Sequence, residues 1–536
     1  MPTKKAVLSY LIPICCAGLQ WCVTVASHIN QAFFRYQNGT FYYQTVKYLF
    51  LLALIAVWCF VFHVARKLRQ RDAQYFRGLQ IFLVYFAILM GLLVILWPGT
   101  WSWDDAITLN VLCYYDTFFP WQHILTGIYQ DVLLQFLPFP GGLILLQNGI
   151  IALCVAYCVT KLEVAFSLKH LSNPLLDILL KLLPFLLPPV LMYQFSGYRM
   201  GLYVYLDLTM LVMLLCAGKN DSPWSWGKVL LFSFLSVIVT VWRTEALVYI
   251  PGLVLLLALI RRDTLTWAKK GLCVLLILCG FVGLNQWQSQ ELGDANYQIA
   301  SLMRPCVELV RAADPTRDAQ ELSAIDSVVI LEVIYSHPSE NGENLYWFGD
   351  CVRDYPPEAY GDFLKAMVKL SLKYPKVVFL ERWNLFLEGS GITGASVDNI
   401  ETARFFDEDY TSGAKTVTIF KGWFAYEPIF KGARKQTIYW INGLTSGGQP
   451  TIAYRLIWNA TIPELILALV WLRLLIQKKW YPWLLCSMVL AKLGIVFLTQ
   501  PSRWLMYVLP FYLLGYAYLT FRPWLYYSGK KGKTNG

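Results

Sequence analysis

The chain has 536 residues, 57% of them hydrophobic and only 15% charged, with a mean hydropathy of +0.47 and a net charge of +11. A soluble domain carries roughly a quarter charged residues, so the composition excludes an ordinary soluble protein and indicates a membrane protein. The positive charge sits in short loops between apolar runs, where it sets orientation, and nucleic acid is excluded as a partner on that ground.

The first residues, "MPTKKAVLSYLIPICCAGLQWCVTVASHI", begin like a signal peptide. Their apolar part is too long and lacks a small-residue cleavage site, so the stretch reads as a retained first helix. A spanning helix needs roughly 20 apolar residues. Reading on for that length predicts spans near 6–28, 46–65, 78–97, 140–160, 176–195, 199–217, 228–242, 244–260, 270–287, 455–476, 482–499 and 503–520, about twelve in all. Most of the 13 cysteines fall inside these runs and act as small hydrophobes, with no CxxC or zinc spacing. Cys113, Cys306 and Cys351 are expected in loops, and a Cys306–Cys351 disulfide is left open.

Orientation follows from Lys and Arg. "MPTKK", "RKLRQRDAQYFR", the 161–181 segment, "GKNDSPWSWGK", "RRDTLTWAKK", "QKKW" and the tail "SGKKGK" all fall on one side when the spans are counted. From Gly78 to Thr160 there is no Lys or Arg, while Asp104, Asp105, Asp116 and Asp131 are present, so this stretch belongs on the outer side. The expectation is an all-α multi-pass protein with both termini cytoplasmic. Its parts are N-terminal spans (1–97), a first long outer loop (98–139), a central bundle (140–287), a mostly helical outer domain (288–450), C-terminal spans (451–525) and a basic tail (526–536). Within the first loop, "FPWQHILTGIYQDVLLQFLP" is amphipathic and predicts short helices lying in the interface.

Charged residues at the outer ends of the spans are few: Asp104, Asp105, Arg199, Arg243, Glu245 and Arg503. Ionisable groups at such a depth pair with one another or line a polar cavity. Guanidinium groups suit phosphate, and carboxylates suit a divalent metal or proton abstraction from a hydroxyl. Plainer readings stand beside these. Asp104–Asp105 is placed to cap a helix in "SWDDAITLN", Arg243 and Glu245 to form a structural ion pair, Arg199 and Arg503 to anchor at the interface, and His123 to be a wet interfacial ring. Trp97, Trp101 and Trp103 read as interfacial belt residues. No Walker loop, HExxH, GxSxG or dinucleotide fingerprint occurs.

The order "WPGTWSWDD", "FFPWQHILTGIYQ", "LLQNGI", "WRTEA", "YQIASLMR" and "TQPSRWLMYVLPFY", from about 95 to 520, resembles the polytopic bacterial membrane proteins of the GT-C glycosyltransferase superfamily. It is most similar to a Gram-positive branch with Pro-Gly, then Asp-Ser, then His-Pro in its first outer loop. The resemblance implies a GT-C-like fold in a bacterial cytoplasmic membrane, a polyprenyl-phosphate sugar as donor and a cell-envelope glycan or lipid-linked acceptor. Asp104 takes the catalytic Asp position, as base or metal ligand, and Asp105 replaces the usual Ser. Mg or Mn is the cofactor that the acid pair admits. Arg243 and Arg503 match arginine positions and are implied in donor phosphate binding; Arg199, at its span end, is read into the same role, with His123, Glu245 and Arg304 in support. Phe119 stands where the branch has His before Pro120, and His123 lies one helical turn on. The rival readings are a multi-pass transporter or lipid flippase, a polysaccharide polymerase or ligase using undecaprenyl diphosphate donors, and a non-catalytic assembly protein.

Overall fold

The computed structural model describes residues 4–25, 41–101, 105, 108–109, 122–219, 222–292, 296–393, 428–445 and 449–530. These are helices joined by turns. Among the described residues, strand pairing is limited to two isolated bridges, Val329 with Val352 and Leu444 with Pro450.

In chain order the membrane part opens with α1 (Lys4–Val25), α2 (Phe41–Arg69), α3 (Ala73–Leu96), the short α4 (Leu125–Phe136) and α5 (Pro140–Ala165). The pair α6 (Pro174–Leu182) and α7 (Pro188–Gln194) follows, then α8 (Arg199–Gly218), α9 (Trp226–Trp242), α10 (Tyr249–Leu259) and α11 (Trp267–Leu292). Seven stretches are long and apolar enough to cross a membrane: Thr45–Arg69, Ala73–Leu96, Pro140–Ala165, Arg199–Gly218, Trp267–Glu291, Ile452–Ile476 and Trp480–Thr499. An eighth is the pair Pro174–Leu186 and Pro188–Gln194, bent by 76°. The bend falls at "LPP", where two successive prolines remove backbone donors and break the ladder.

Twelve full-length spans are therefore more than the described helices carry. The expected spans near 6–28, 228–242 and 244–260 fall on shorter apolar helices. The one near 503–520 begins with a single 3-10 turn, Leu505–Tyr507, before the last helix starts at Leu509. "WRTEA" supplies one local cause. Arg243 is extended (φ −136°, ψ 123°), and a 3-10 turn over Thr244–Val248 separates α9 from α10.

The bundle is built around α8. Of its span window 94% is buried, against 11% for Thr45–Arg69 and 17% for Trp267–Glu291, so α8 is the axis and the others face lipid. Its neighbours include α5 and α9. Its helical glycine Gly201 abuts the backbone before it, since a Cβ there would stand 2.1 Å from the Tyr193 carbonyl oxygen.

The amphipathic outer stretch does form a short helix, α4, but its polar side is not the wet side. Thr126, Gln130, Asp131 and Gln135 are all buried. Gln130 Nε2 donates to the Gly197 carbonyl at 2.8 Å, and Thr126 Oγ1 accepts from Trp242 Nε1 at 2.9 Å. Amphipathicity here serves polar contacts inside the protein, where unmet hydrogen bonds are costly.

After α11 the chain enters a separate helical unit: α12 (Ala300–Ala312), α13 (Ala319–Asp326), α14 (Leu331–Ser336), α15 (Gly342–Phe348), α16 (Pro357–Lys373) and α17 (Pro375–Gly389). It has its own core, including Met303, Val307, Val310, Ile325, Phe363 and Leu370. Cys306 is within α12 rather than in a loop; it and Cys351 are buried free thiols, while Cys113 lies outside the described residues. Helices α18 (Lys431–Ile441), α19 (Ile452–Ile457), α20 (Thr461–Ile476), α21 (Trp480–Thr499) and α22 (Leu509–Lys530) complete the chain. The α12–α17 unit is seated on the bundle through α17 against α21: the Phe386 and Phe497 ring centroids are 5.7 Å apart, and Arg382 Nη1 donates to the Gln500 carbonyl at 2.8 Å.

Candidate functional site

The site starts from the backbone of "WPGTW". Leaving α3, this segment lies against the turn between α7 and α8: Thr100 donates from its amide to the Phe195 carbonyl (2.7 Å) and from its hydroxyl to the Met192 carbonyl (2.9 Å). Gly99 has φ +121°, and a Cβ on it would stand 2.6 Å from the Phe195 carbonyl oxygen, so only glycine fits. The buried Arg434 of α18 donates to the Gly99 carbonyl at 2.9 Å, a brace contributed from more than 300 residues away. Trp101 is not a belt residue. It is fully buried, its ring fills the slot left by Gly197, and its Nε1 donates to the Pro98 carbonyl at 3.0 Å. Trp97 is half-buried against Phe139, and Trp103 lies outside the described residues.

Asp105 is 1% exposed, and its Oδ2 accepts from the Ser196 hydroxyl at 2.9 Å. The same Ser196 oxygen accepts from the Tyr198 amide at 2.9 Å, so the carboxylate is fixed to the entry of α8, next to Arg199. Asp104, together with Phe119 and Pro120, lies outside the described residues.

Arg199 opens α8 and is only partly buried. It stands within electrostatic reach of Arg243, Glu245, Tyr297 and Tyr507, and makes no ion pair among the described residues. Arg243 does: its Nε donates to Glu245 Oε1 at 2.6 Å, both residues are buried, and its guanidinium lies 5.0 Å from the Tyr507 ring centroid. The ion pair read as one alternative at "WRTEA" is thus present. His123 is not a wet ring. Burial, and then the charge of Arg199, push its imidazole down to about 4, so it is neutral at ordinary pH. Its Nδ1 accepts from the Leu125 amide at 3.2 Å, and its buried Nε2 has no hydrogen-bond partner among the described residues. Arg503 is exposed and precedes Trp504, whose ring meets Tyr198 edge-on at 6.4 Å. Arg304 is held within the outer unit by Glu381 (2.8 Å) and Glu343 (3.6 Å).

Asp105, His123, Arg199, Arg243 and Glu245, far apart in sequence, thus gather about the start of α8. Two charges missed by reading span ends lie deeper. Lys492 of α21 pairs with Asp207 of α8 at 2.8 Å, both fully buried, and donates to Tyr203 Oη at 2.8 Å. The signal was a lone Asp in "LYVYLDLTM" and a lone Lys in "SMVLAKLGI", each inside an apolar run.

Of the two acids expected to hold a divalent cation, Asp104 lies outside the described residues and Asp105 has an oxygen engaged by Ser196. The other carboxylate near the start of α8, Glu245, is paired with Arg243. The group with metal-ligand spacing is elsewhere, Glu163, His170 and Asp177. Its charge is already met by Arg77 and Lys181: Lys181 Nζ lies 2.7 Å from Glu163 and 2.9 Å from Asp177, and Arg77 contacts both acids.

No protein-family model, curated protein or solved structure matches the chain. The class is defined by its own residues: a helical protein in which, among the described residues, seven helices are long and apolar enough to cross a membrane, with a separate helical unit before the last two of them.

Proposed function

We propose that the protein is a membrane glycosyltransferase of GT-C type. It would move a sugar from a polyprenyl-phosphate donor to a cell-envelope glycan or lipid-linked acceptor at the outer face of a bacterial cytoplasmic membrane. The observation that carries the reading is Arg199: a partly accessible guanidinium without an ion pair among the described residues, beside a second guanidinium, at the end of α8 where Asp105 is fixed. An unpaired fork there is suited to a phosphate group.

In this reading Asp104 takes the proton from the acceptor hydroxyl, whose oxygen attacks the anomeric carbon with inversion. The bond from that carbon to the phosphate oxygen breaks, and the lipid phosphate leaves with the electron pair toward Arg199 and Arg503. Arg243, committed to Glu245, acts through the local field. Asp105 is a positioning residue, tying the acidic segment to Ser196. His123, neutral and with its Nδ1 already accepting from the Leu125 amide, carries its proton on Nε2, which is placed to donate a hydrogen bond to a sugar oxygen. The outer unit would receive the acceptor.

The second reading, a transporter or lipid flippase, is favoured by the buried Asp207–Lys492 pair, because ionisable pairs inside a bundle mark transport pathways as well as structural contacts. One experiment separates the two. Purified protein in liposomes is offered polyprenyl-phosphate sugars, with cell-wall glycans as acceptor, and donor loss is followed for the wild type, Asp104→Asn and Arg199→Gln. Loss of donor that disappears in both variants supports transfer. Turnover unchanged in both removes the assigned site, and absence of any turnover, with donor moving between leaflets, favours transport.

A further inference from the structure

A large cavity lies at the other end of α8 from Asp105 and Arg199. It encloses about 1030 Å³ between the end of α5, the C-terminal halves of α8 and α20, the N-terminal half of α21 and the middle of α22. Its walls, from residues 208–215, 467–474, 485–489 and 514–521, are almost wholly apolar. Its charged lining residues are Lys219, Arg473, Lys479 and Arg522, and no acid lines it.

The position of these four cations is set by the helices. Lys219 follows the last residue of the Arg199–Gly218 span, Lys479 precedes the first residue of the Trp480–Thr499 span, and Arg473 lies in the last turn of α20. These three are therefore at the level where apolar helix gives way to polar loop, which is where lipid phosphates lie, and Arg522 of α22 lines the same cavity. All four are exposed, and among the described residues none is paired with a carboxylate. Lys219 is instead placed over the Phe166 ring at 3.9 Å from its centroid. Burial lowers its pKa, the nearby Cys216 raises it, and the like charge of Lys479 lowers it again. Close approach shapes the floor as well: Tyr481 Oη donates to the Leu214 carbonyl at 2.9 Å, with its ring where a Cβ on residue 218 would be, so glycine is needed there.

We propose that this cavity is a binding site for one anionic glycerophospholipid, with its acyl chains in the apolar cavity and its phosphate among Lys219, Arg473, Lys479 and Arg522. Free inorganic phosphate would gain from the cations but has nothing to place in the apolar interior, and a zwitterionic lipid would fill the interior but carries its own cation to the rim. Basic pockets between membrane helices recognise anionic head groups on this basis, each Lys or Arg near the surface contributing on the order of 1 kcal/mol. The site is independent of the transferase reading, and its test uses no catalytic readout.

The test takes the full chain in detergent and adds phosphatidylglycerol, phosphatidylcholine or inorganic phosphate, reading thermal stability and bound lipid by native mass spectrometry. Phosphatidylglycerol is expected to raise the midpoint and to remain bound at one molecule per chain, where phosphatidylcholine and phosphate do neither. Combining Lys219→Gln, Arg473→Gln, Lys479→Gln and Arg522→Gln should cut retention at least about tenfold. Val470→Trp, which fills the cavity and leaves all four cations in place, should also cut it and guards against misfolding of the fourfold variant. Equal retention of the two lipids, a phosphate effect as large as that of phosphatidylglycerol, or full retention in either variant would overturn the proposal.

Discussion

Arg243 and Glu245 hold opposite charges 2.6 Å apart inside the protein, and their value to the fold depends on both being present. Removing one leaves the other buried and uncompensated, which costs about 3–5 kcal/mol, whereas replacing both with neutral groups is far milder. Arg243→Gln is expected to lower the thermal midpoint markedly, and Arg243→Gln with Glu245→Gln to recover much of the loss. If the double variant shows the sum of the two single losses, the pair is not coupled. His123 carries a different dependence. Its imidazole titrates near 4 in the fold and near the ordinary ~6.5 when unfolded. Between those values the unfolded chain binds the proton and the folded one does not, so stability declines as pH falls from 6.5 toward 4 and is unaffected above it. The midpoint of the wild type should drop over that window more than that of His123→Gln. For the same reason an acidic limb near pH 6.5 in any activity profile would not belong to His123.

At the scale of elements, the close approaches along α8 decide how the site is assembled. A Cβ on Gly201 would be 2.1 Å from the Tyr193 carbonyl oxygen, a backbone atom that cannot swing aside, while nothing lies within 4 Å of one on Gly227. Gly201→Ala should therefore destabilise by at least the ~1–3 kcal/mol typical of overpacking, and Gly227→Ala should be neutral or slightly stabilising, as helix propensity predicts. Thermal unfolding of the two in the same detergent checks this, and equal midpoints would remove the tight α7–α8 turn as a constraint. These elements also mark how far the sequence could be read. Hydropathy located α2, α3, α5, α8 and α21 because each is a long apolar run, and the paucity of charge at span ends singled out Arg199, Arg243 and Glu245. It did not find that α4 turns its polar side inward, because amphipathicity fixes a helix's two faces and not which of them meets water. Nor did it find Arg434 bracing Gly99, since a contact across 335 residues has no local pattern. Trp101 was misread for a related reason: a tryptophan beside an apolar run looks interfacial unless the glycine that makes room for it, Gly197, is known to be opposite.

In the whole molecule the two ends of α8 carry different chemistry. Around the start of α8 stand Asp105, His123 and Arg199; at its far end, the basic rim of the large cavity. In the proposed orientation, read from the distribution of Lys and Arg, the rim faces the cytoplasm and the unit built from α12–α17 faces outward. Single cysteines test that assignment directly. Ser339 is exposed in the outer unit, and Arg262 is exposed in the basic loop between α10 and α11. In intact cells, Ser339→Cys should react with a membrane-impermeant maleimide above the background of the parent protein, and Arg262→Cys should react only after permeabilisation. The reverse pattern would place Arg199 and Asp105 at the cytoplasmic face, where a sugar transfer needs no donor carried across the bilayer, and the proposed acceptor class would fall with the orientation. Labelling of both in intact cells would mean an even number of crossings between them. In that case the Trp267–Glu291 stretch, which lies between the two positions and is long enough to cross, would have to be re-entrant or lie along the surface, even though its low burial within the protein is what a lipid-facing span requires.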